Sequence, residues 1–407
     1  MPMLLGGVYL FLIVMAFVFA RTLAIMRFYV PGLGAETRPH SVPNFHAYFA
    51  AWTAGFFMLL MLALYRLFFA AVGSVTIPLI LMALITALTC LMSFKLTQRE
   101  FKARDYVEGF VQFALFLCSG VVILITFGII LSLLFESLRF FEKIPLTDFL
   151  TGLEWSPQIP IREDQIGEAG SFGVVPVLLG TGLITVFAML IAVPIGLFIA
   201  IYLSEYAGRR RRRVIKPVIE ILAGIPSVVY GFFALLTIGP MVQTGMAALG
   251  FDITAQSVVA VSIVMGVMII PYISSLSDDV MSGVPQILRD GSYALGATPS
   301  ETVKKIILPA AFPGLMAASL LGVSRALGET MIVALAASKA ANLTFNPFEA
   351  VTTVTVQIVT LLTGDQELDS AKTLAAYALG LILFILTLLL NIIAISIVRG
   401  YNAKFHR

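Results

Sequence analysis

The sequence predicts an all-α polytopic membrane protein, and three observations carry that reading. Of 407 residues, 59% are hydrophobic and only 12% charged, against roughly 45–50% and about 25% in soluble domains. Val111–Phe135 and Phe172–Leu203 contain no charged residue, and each exceeds the ~20 apolar residues that cross a hydrocarbon core about 30 Å thick. These runs are continuously apolar rather than alternating, which excludes a transmembrane barrel.

Nine spans follow in order, at about 4–26, 46–70, 75–94, 111–135, 173–203, 217–244, 254–276, 310–335 and 374–398. Met1–Ala20 lacks a charged leading region and a clear small-residue cleavage site, so it reads as a retained span rather than a signal peptide. Basic residues in 95–110, 204–216 and 277–309 place those loops in the cytoplasm, with the C-terminal tail. Segment 136–171, rich in acids and prolines, becomes an exported loop. The alternation from 111 onward gives six spans, and the three earlier ones begin outside, so the N-terminus is expected to be periplasmic. Arg21 and Arg66 are expected to snorkel to the interface. Val351–Leu362 is apolar but too short to cross, so a re-entrant or interfacial segment is expected there.

The net charge of +3 says nothing about nucleic acid. Its densest point, Arg209–Arg213 with Lys216, abuts a span and reads as a topology determinant. The other reading is an anionic-lipid or regulatory contact. Cys90 and Cys118 lie inside apolar runs, where a thiol acts as a small hydrophobe. His40, His46 and His406 are expected in loops or the tail, with no ligand cluster around them. Glu220 reads as a helix-start or interfacial charge, and Gly224-Ile225-Pro226-Ser227 as a break or packing kink.

Residues 285–309 form a polar island. Pro285 suits a helix start, and Gly296 can take left-handed dihedrals after the helix ends near Leu295. Thr298-Pro299-Ser300-Glu301 is a capping box, opening a second helix that Pro309 should break or kink. Asp290-Gly291-Ser292-x3-Gly296-x9-Ile306-x-Leu308-Pro309 resembles the loop of ABC importer permeases whose commonest form begins Glu-Ala-Ala. Asp-Gly-Ser departs from that opening, while the later spacing is intact. The resemblance implies that Asp290, Gly296, Ala297, Ile306, Leu308 and Pro309 form a coupling helix seated in a cleft of an ATPase subunit.

Arg325 lies about 22 Å beyond Ala310 along a helix of ~1.5 Å rise, and Glu329 follows four residues later. Charges at such depth are functional candidates, and the spacing would put both on one face, able to pair. Gly322 and Gly328 would admit close helix approach. A structural ion pair and an anion-contacting guanidinium are both open on chemistry alone.

Arg325-Ala-Leu-Gly-Glu-Thr-Met331, with Ala223–Gly231 and Pro271-Tyr-Ile-Ser-Ser275, resembles permeases of the phosphate-specific ABC importer, of PstC type rather than PstA type. The likeness covers roughly 110–400. It implies a type-1 ABC importer transmembrane domain over 109–400, with its core at about 173–398. Residues 1–108 would be an extension of about three helices, and Arg325, Glu329 and Thr330 would line the translocation path. Its partners would be a PstA-type permease, two PstB-type ATPases, a periplasmic PstS-type phosphate-binding protein and the lipids of the bacterial inner membrane.

The chain lacks a Gly-x4-Gly-Lys-Ser/Thr phosphate loop. No cofactor is therefore expected in it, ATP and Mg belonging to the partner ATPase. A membrane enzyme would need a converging nucleophile and base that Arg325 and Glu329 do not supply. A scaffold would leave the deep charges unexplained. Import of another oxyanion or small solute is the alternative.

Overall fold

The computed structural model describes residues 2–28, 41–69, 76–97, 101–157, 170–363 and 370–405. Among them, nine helical segments are long and apolar enough to cross a membrane. Two compact units divide the chain, Met1–Gly128 and Ile129–Arg407.

In the first unit, α1 (Pro2–Phe28), α2 (Pro43–Phe69) and α3 (Thr76–Leu96) pack on one another. Their shared core holds Ala16, Ala54, Met58 and Met82. Small residues on α1 and α2 let the methionines fill the gap, as expected where bilayer helices associate by van der Waals contact. Arg27 ends α1 by donating to the carbonyls of Phe94 and Thr97, both at 2.8 Å. Arg21 donates to Asn44. The side chain of Arg66, and both His40 and His406, lie outside the described residues. His46 corrects the loop expectation: it is buried in the first turn of α2, its ring 5.8 Å from that of Phe101.

The division falls within α4 (Ala103–Lys143), a helix of 41 residues and therefore about 60 Å long at ~1.5 Å per residue. It runs on through residues expected to open the exported loop. The loop's other described residues form short elements. α5 (Leu146–Thr151) is followed by β1 (Trp155–Ser156), antiparallel to β2 (Ser171–Phe172), with Trp155 opposite Phe172. Residues 158–169 lie outside the described ones. Phe140, Phe149, Trp155 and Phe172 bury one aromatic cluster in edge-on and tilted contacts, the geometry that ring quadrupoles favour.

The second unit then builds a helical bundle. α6 (Val175–Ile201) runs into a π-helical turn at Tyr202–Tyr206. α7 (Arg209–Ala223) is a separate helix, where a loop and the start of a span were expected. The chain breaks at Gly224–Pro226, because Pro226 cannot continue the hydrogen-bond ladder. α8 (Ser227–Phe233), a π turn at Ala234–Ile238 and α9 (Gly239–Ala248) make the next span, Ser227–Ala248. Glu220 stands exposed near the end of α7, not at its start.

α10 (Val258–Ser282) packs along α6 as the centre of the main core, with Ile184, Ala188, Met265, Ile269 and Ile273 buried. It continues past the expected end at 276, so Asp278 belongs to a helix and not to a loop. α11 (Gln286–Ala294) and α12 (Pro299–Thr302) form a hairpin, and a π turn at Val303–Ile307 leads into α13 (Leu308–Leu327). Pro309 was expected to break or kink the helix; it does not break it, since Pro299–Leu327 is one continuous helical span. The π turn widens the ladder (the Leu308 N–H reaches Val303 O) so that the proline falls at the first turn of α13, where its missing donor is tolerated.

α13 stops at Leu327 rather than continuing to about 335; α14 (Met331–Ala336) restarts after Gly328–Thr330. α15 (Val354–Leu362) is a short helix with Val354, Val356 and Leu361 buried, lying within the apolar run Val351–Leu362, and α16 (Ala371–Phe405) completes the bundle. Gln357 of α15 joins the layers: it accepts from the Trp155 indole (2.9 Å) and donates to Lys339 O (2.7 Å) and Thr352 Oγ1 (2.9 Å).

Candidate functional site

The hairpin follows its capping signals. Gly296 has φ +81°, a conformation that L side chains resist. Thr298 accepts from the Glu301 N–H at 3.3 Å while the Glu301 carboxylate accepts from Thr298 N–H at 3.0 Å, closing the capping box. The hydroxyls of Ser292 and Thr302 share a buried hydrogen bond of 2.8 Å that fastens one helix to the other. Ala297 N–H donates to Ser292 O. Asp290 is exposed and accepts from Gln286.

Anchoring comes from residues the sequence motif did not mark. Ile307, the unspecified position between Ile306 and Leu308, is fully buried with Ala200, Met281, Val303 and Ala311. Arg289, expected to be a topology charge, is buried. Its guanidinium grips Glu205 at 2.8 and 3.2 Å and also donates to Met281 O and Val284 O. The outer face is apolar instead: Leu295 is 91% and Ile287 77% exposed. A pocket of about 280 Å³ lies beside them, lined by Ser292, Leu295, Gly296, Ala297, Glu301 and Ile306 among others.

Above the hairpin, α7 is clamped to α10. Asp278 is completely buried and accepts two bonds from Arg212 Nη2 (2.8 and 2.9 Å) and one from Lys216 (2.9 Å). Lys216 also reaches Asp279 at 3.1 Å. The bond to Asp278 holds the Lys216 amino group above its usual value of 10.5, against the opposing effect of burial.

The expected Arg325–Glu329 pair does not form. Helix α13 ends at Leu327, so the four-residue spacing no longer places the two on one face. Glu329 is half-buried and caps α14, accepting from Met331 and Ile332 N–H at 3.2 and 3.4 Å. Its own carbonyl accepts from Thr355 of α15 at 2.9 Å. Thr330 donates to Gly328 O. Arg325 is exposed on the chain, its guanidinium carbon 5.3 Å from the Tyr272 ring centroid and one nitrogen 3.8 Å from the Met268 sulfur. Among the described residues it has no carboxylate partner.

Three separated sequence motifs therefore meet. Arg325 lies against Tyr272, and α8 carries Gly231 against α14, where a Cβ would stand 3.1 Å from Met331 O. Gly322 does serve close packing, since a Cβ there would meet Ile273 and Met189 at 3.1 Å. Gly328 does not; it is the cap of α13.

Residues 192–407 match the family model described as binding-protein-dependent transport system inner membrane component. A probable ABC transporter permease protein, YqgH, of Bacillus subtilis is 35% identical over 72% of this chain and 91% of its own length. The phosphate transport system permease protein PstC of Haemophilus influenzae is 30% identical over 73% of this chain and 94% of its own. That of Mesorhizobium japonicum is 31% identical over 63% and 79%.

Proposed function

The chain belongs to the family of binding-protein-dependent transport system inner membrane components, and from that premise we propose that the solute it carries is inorganic phosphate. It is a transmembrane permease subunit of an ABC importer, with the type-1 permease fold and extra N-terminal helices. Substrate capture and ATP hydrolysis in such importers belong to partner proteins.

The observation that supports phosphate most is Arg325, which has no carboxylate partner among the described residues. A charge at that depth costs roughly 2.5–3.5 kcal/mol on insertion scales, and no carboxylate among the described residues offsets it. A planar guanidinium held over Tyr272 presents two parallel N–H groups to a tetrahedral oxyanion, which a lysine cannot do. Glu329 and Thr330 shape the break beside it, with Glu329 acting as a helix cap. The PstC relatives favour the same solute, whereas the Bacillus relative's name specifies none.

The assembly in this reading pairs the chain with a PstA-type permease, two PstB-type ATPases below the hairpin and a PstS-type phosphate-binding protein on the periplasmic side. Asp290, Gly296 and Ala297 in the hairpin, Ile306 in the π turn after it, and Leu308 and Pro309 at the start of α13 form the element that couples ATPase closure to rocking of the bundle. The C-terminus is cytoplasmic and the N-terminus periplasmic. The deciding experiment reconstitutes the complex in proteoliposomes and measures ATP hydrolysis with phosphate-, sulfate- or molybdate-loaded binding protein. Stimulation by phosphate alone is expected. Equal or greater stimulation by another oxyanion overturns the solute assignment.

A further inference from the structure

The geometry points to α7 as a docking surface for the phosphodiester headgroups of anionic phospholipids, placed directly beside the hairpin. α7 holds six bases and one acid in fifteen residues. Arg212 and Lys216 are committed to Asp278 and Asp279. The remaining Arg209, Arg210, Arg211 and Arg213 are exposed, and among the described residues none has an acidic partner. Arg211 has only the Tyr202 hydroxyl, at 3.5 Å.

A second observation points to a bilayer as the occupant rather than to solvent. Val214, Val218 and Ile221, spaced i, i+4 and i+7, share one stripe of α7 and are 64%, 55% and 68% exposed. Arg212, Lys216 and Ile219 face the other way, towards the bundle. Exposed arginines beside an exposed apolar stripe are the pattern of a helix lying at a headgroup–acyl boundary. A polybasic segment next to a span attracts anionic lipid. A segment that acted only as a topology determinant would need the charges but not the stripe. The clamp to Asp278 connects this surface to α10 four residues before the hairpin's Ser282–Gln286 entrance, so bound lipid bears on the element that leads into α11. None of this depends on which solute is carried.

The experiment uses the complete importer in nanodiscs of phosphatidylcholine, with or without about 30% phosphatidylglycerol. Photoactivatable phosphatidylglycerol and phosphatidylcholine are compared by crosslinking and peptide mapping. The expected result is several-fold more labelling of 209–223 by phosphatidylglycerol. The preference should shrink when salt rises from about 0.1 to 1 M, as the Debye length falls from ~10 to ~3 Å. A variant with Gln at all four free arginines should lose the preference and one with Lys at all four should keep it, with insertion checked by accessibility of a cysteine at Ser300. If the Gln variant does not insert, the wild-type lipid ratio and its salt dependence decide alone. Equal labelling by the two lipids, a salt-independent ratio, or no lipid labelling because a partner subunit covers α7 overturns the assignment.

Discussion

Arg289 and Glu205 form a two-point ion pair at 2.8 and 3.2 Å with side chains only 10% and 5% exposed, tying the hairpin's first helix to the end of α6. Through it Arg289 of α11 is joined to the π turn that follows α6, and through Met281 O to α10. Breaking a buried pair by removing one partner costs roughly 3–5 kcal/mol. The carbonyls of Met281 and Val284 still hold part of the guanidinium, so Glu205→Ala should fall near the lower end. Amide exchange over 286–305 in the assembled complex should accelerate about a hundredfold, since ~1.4 kcal/mol is tenfold. The double change Glu205→Ala with Arg289→Met should restore much of the protection. Unchanged exchange in Glu205→Ala would show that the pair does not hold the hairpin.

Gly296 tests the tip independently of packing. A Cβ there meets nothing within 4 Å, but φ is +81°, so only backbone strain of about 1–2 kcal/mol opposes a side chain. Gly296→Val should weaken ATPase-subunit binding and uncouple hydrolysis from uptake, while Gly296→Asn, which tolerates left-handed geometry, should remain near normal. Co-purification and uptake measured side by side read this. Equal behaviour of the two variants would remove the turn from the coupling argument.

The hairpin was legible because its signals are local: a proline, a left-handed glycine and a capping box each act within one turn. The spans were legible from the length and continuity of apolar runs. Contacts between residues distant in sequence were not. Arg289 and Glu205 stand 84 residues apart, and no periodicity links them. Asp278 was not legible as a helical residue, because α10 continues beyond its apolar run to Ser282. Arg325 and Glu329 show the reverse failure: a spacing rule valid inside a helix was carried across Gly328, where the helix stops. The signal was present, since glycine at that position is a common helix end.

Asp278 should decide whether α7 stays on α10. Asp278→Asn removes the charge that receives three bonds from Arg212 and Lys216, leaving two cations facing a neutral amide. Trypsin cleavage within 209–216 of the purified complex should rise about tenfold or more. Mild alkalinity alone should not imitate the variant. The Lys216 pKa is raised above 10.5, so its contribution is fully present below the ordinary value and is lost only as pH rises through the raised one. Cleavage rates of α7, normalised to a reference peptide, should match at about pH 7 and 9. A comparable rise in the unmutated protein between those values would contradict the clamp.

Arg325 separates transport from architecture because its neighbours among the described residues are Tyr272 and Met268 rather than an acid. If its role were packing, Arg325→Met would suit that apolar, aromatic setting and leave uptake intact. If it meets the anion, Arg325→Met should abolish phosphate uptake without loss of assembly. Arg325→Lys should lower uptake about tenfold or more despite keeping the charge, because an ammonium lacks the planar fork. Glu329 behaves differently, as a cap: Glu329→Ala should cost about 1 kcal/mol in local stability of α14. Glu329→Gln keeps an acceptor for Met331 and Ile332 N–H, so any uptake defect in it reports charge rather than folding. Uptake by proteoliposomes, with assembly and melting temperature recorded for every variant, reads all four. Normal uptake in Arg325→Met would remove the arginine from the path while leaving the chain a permease.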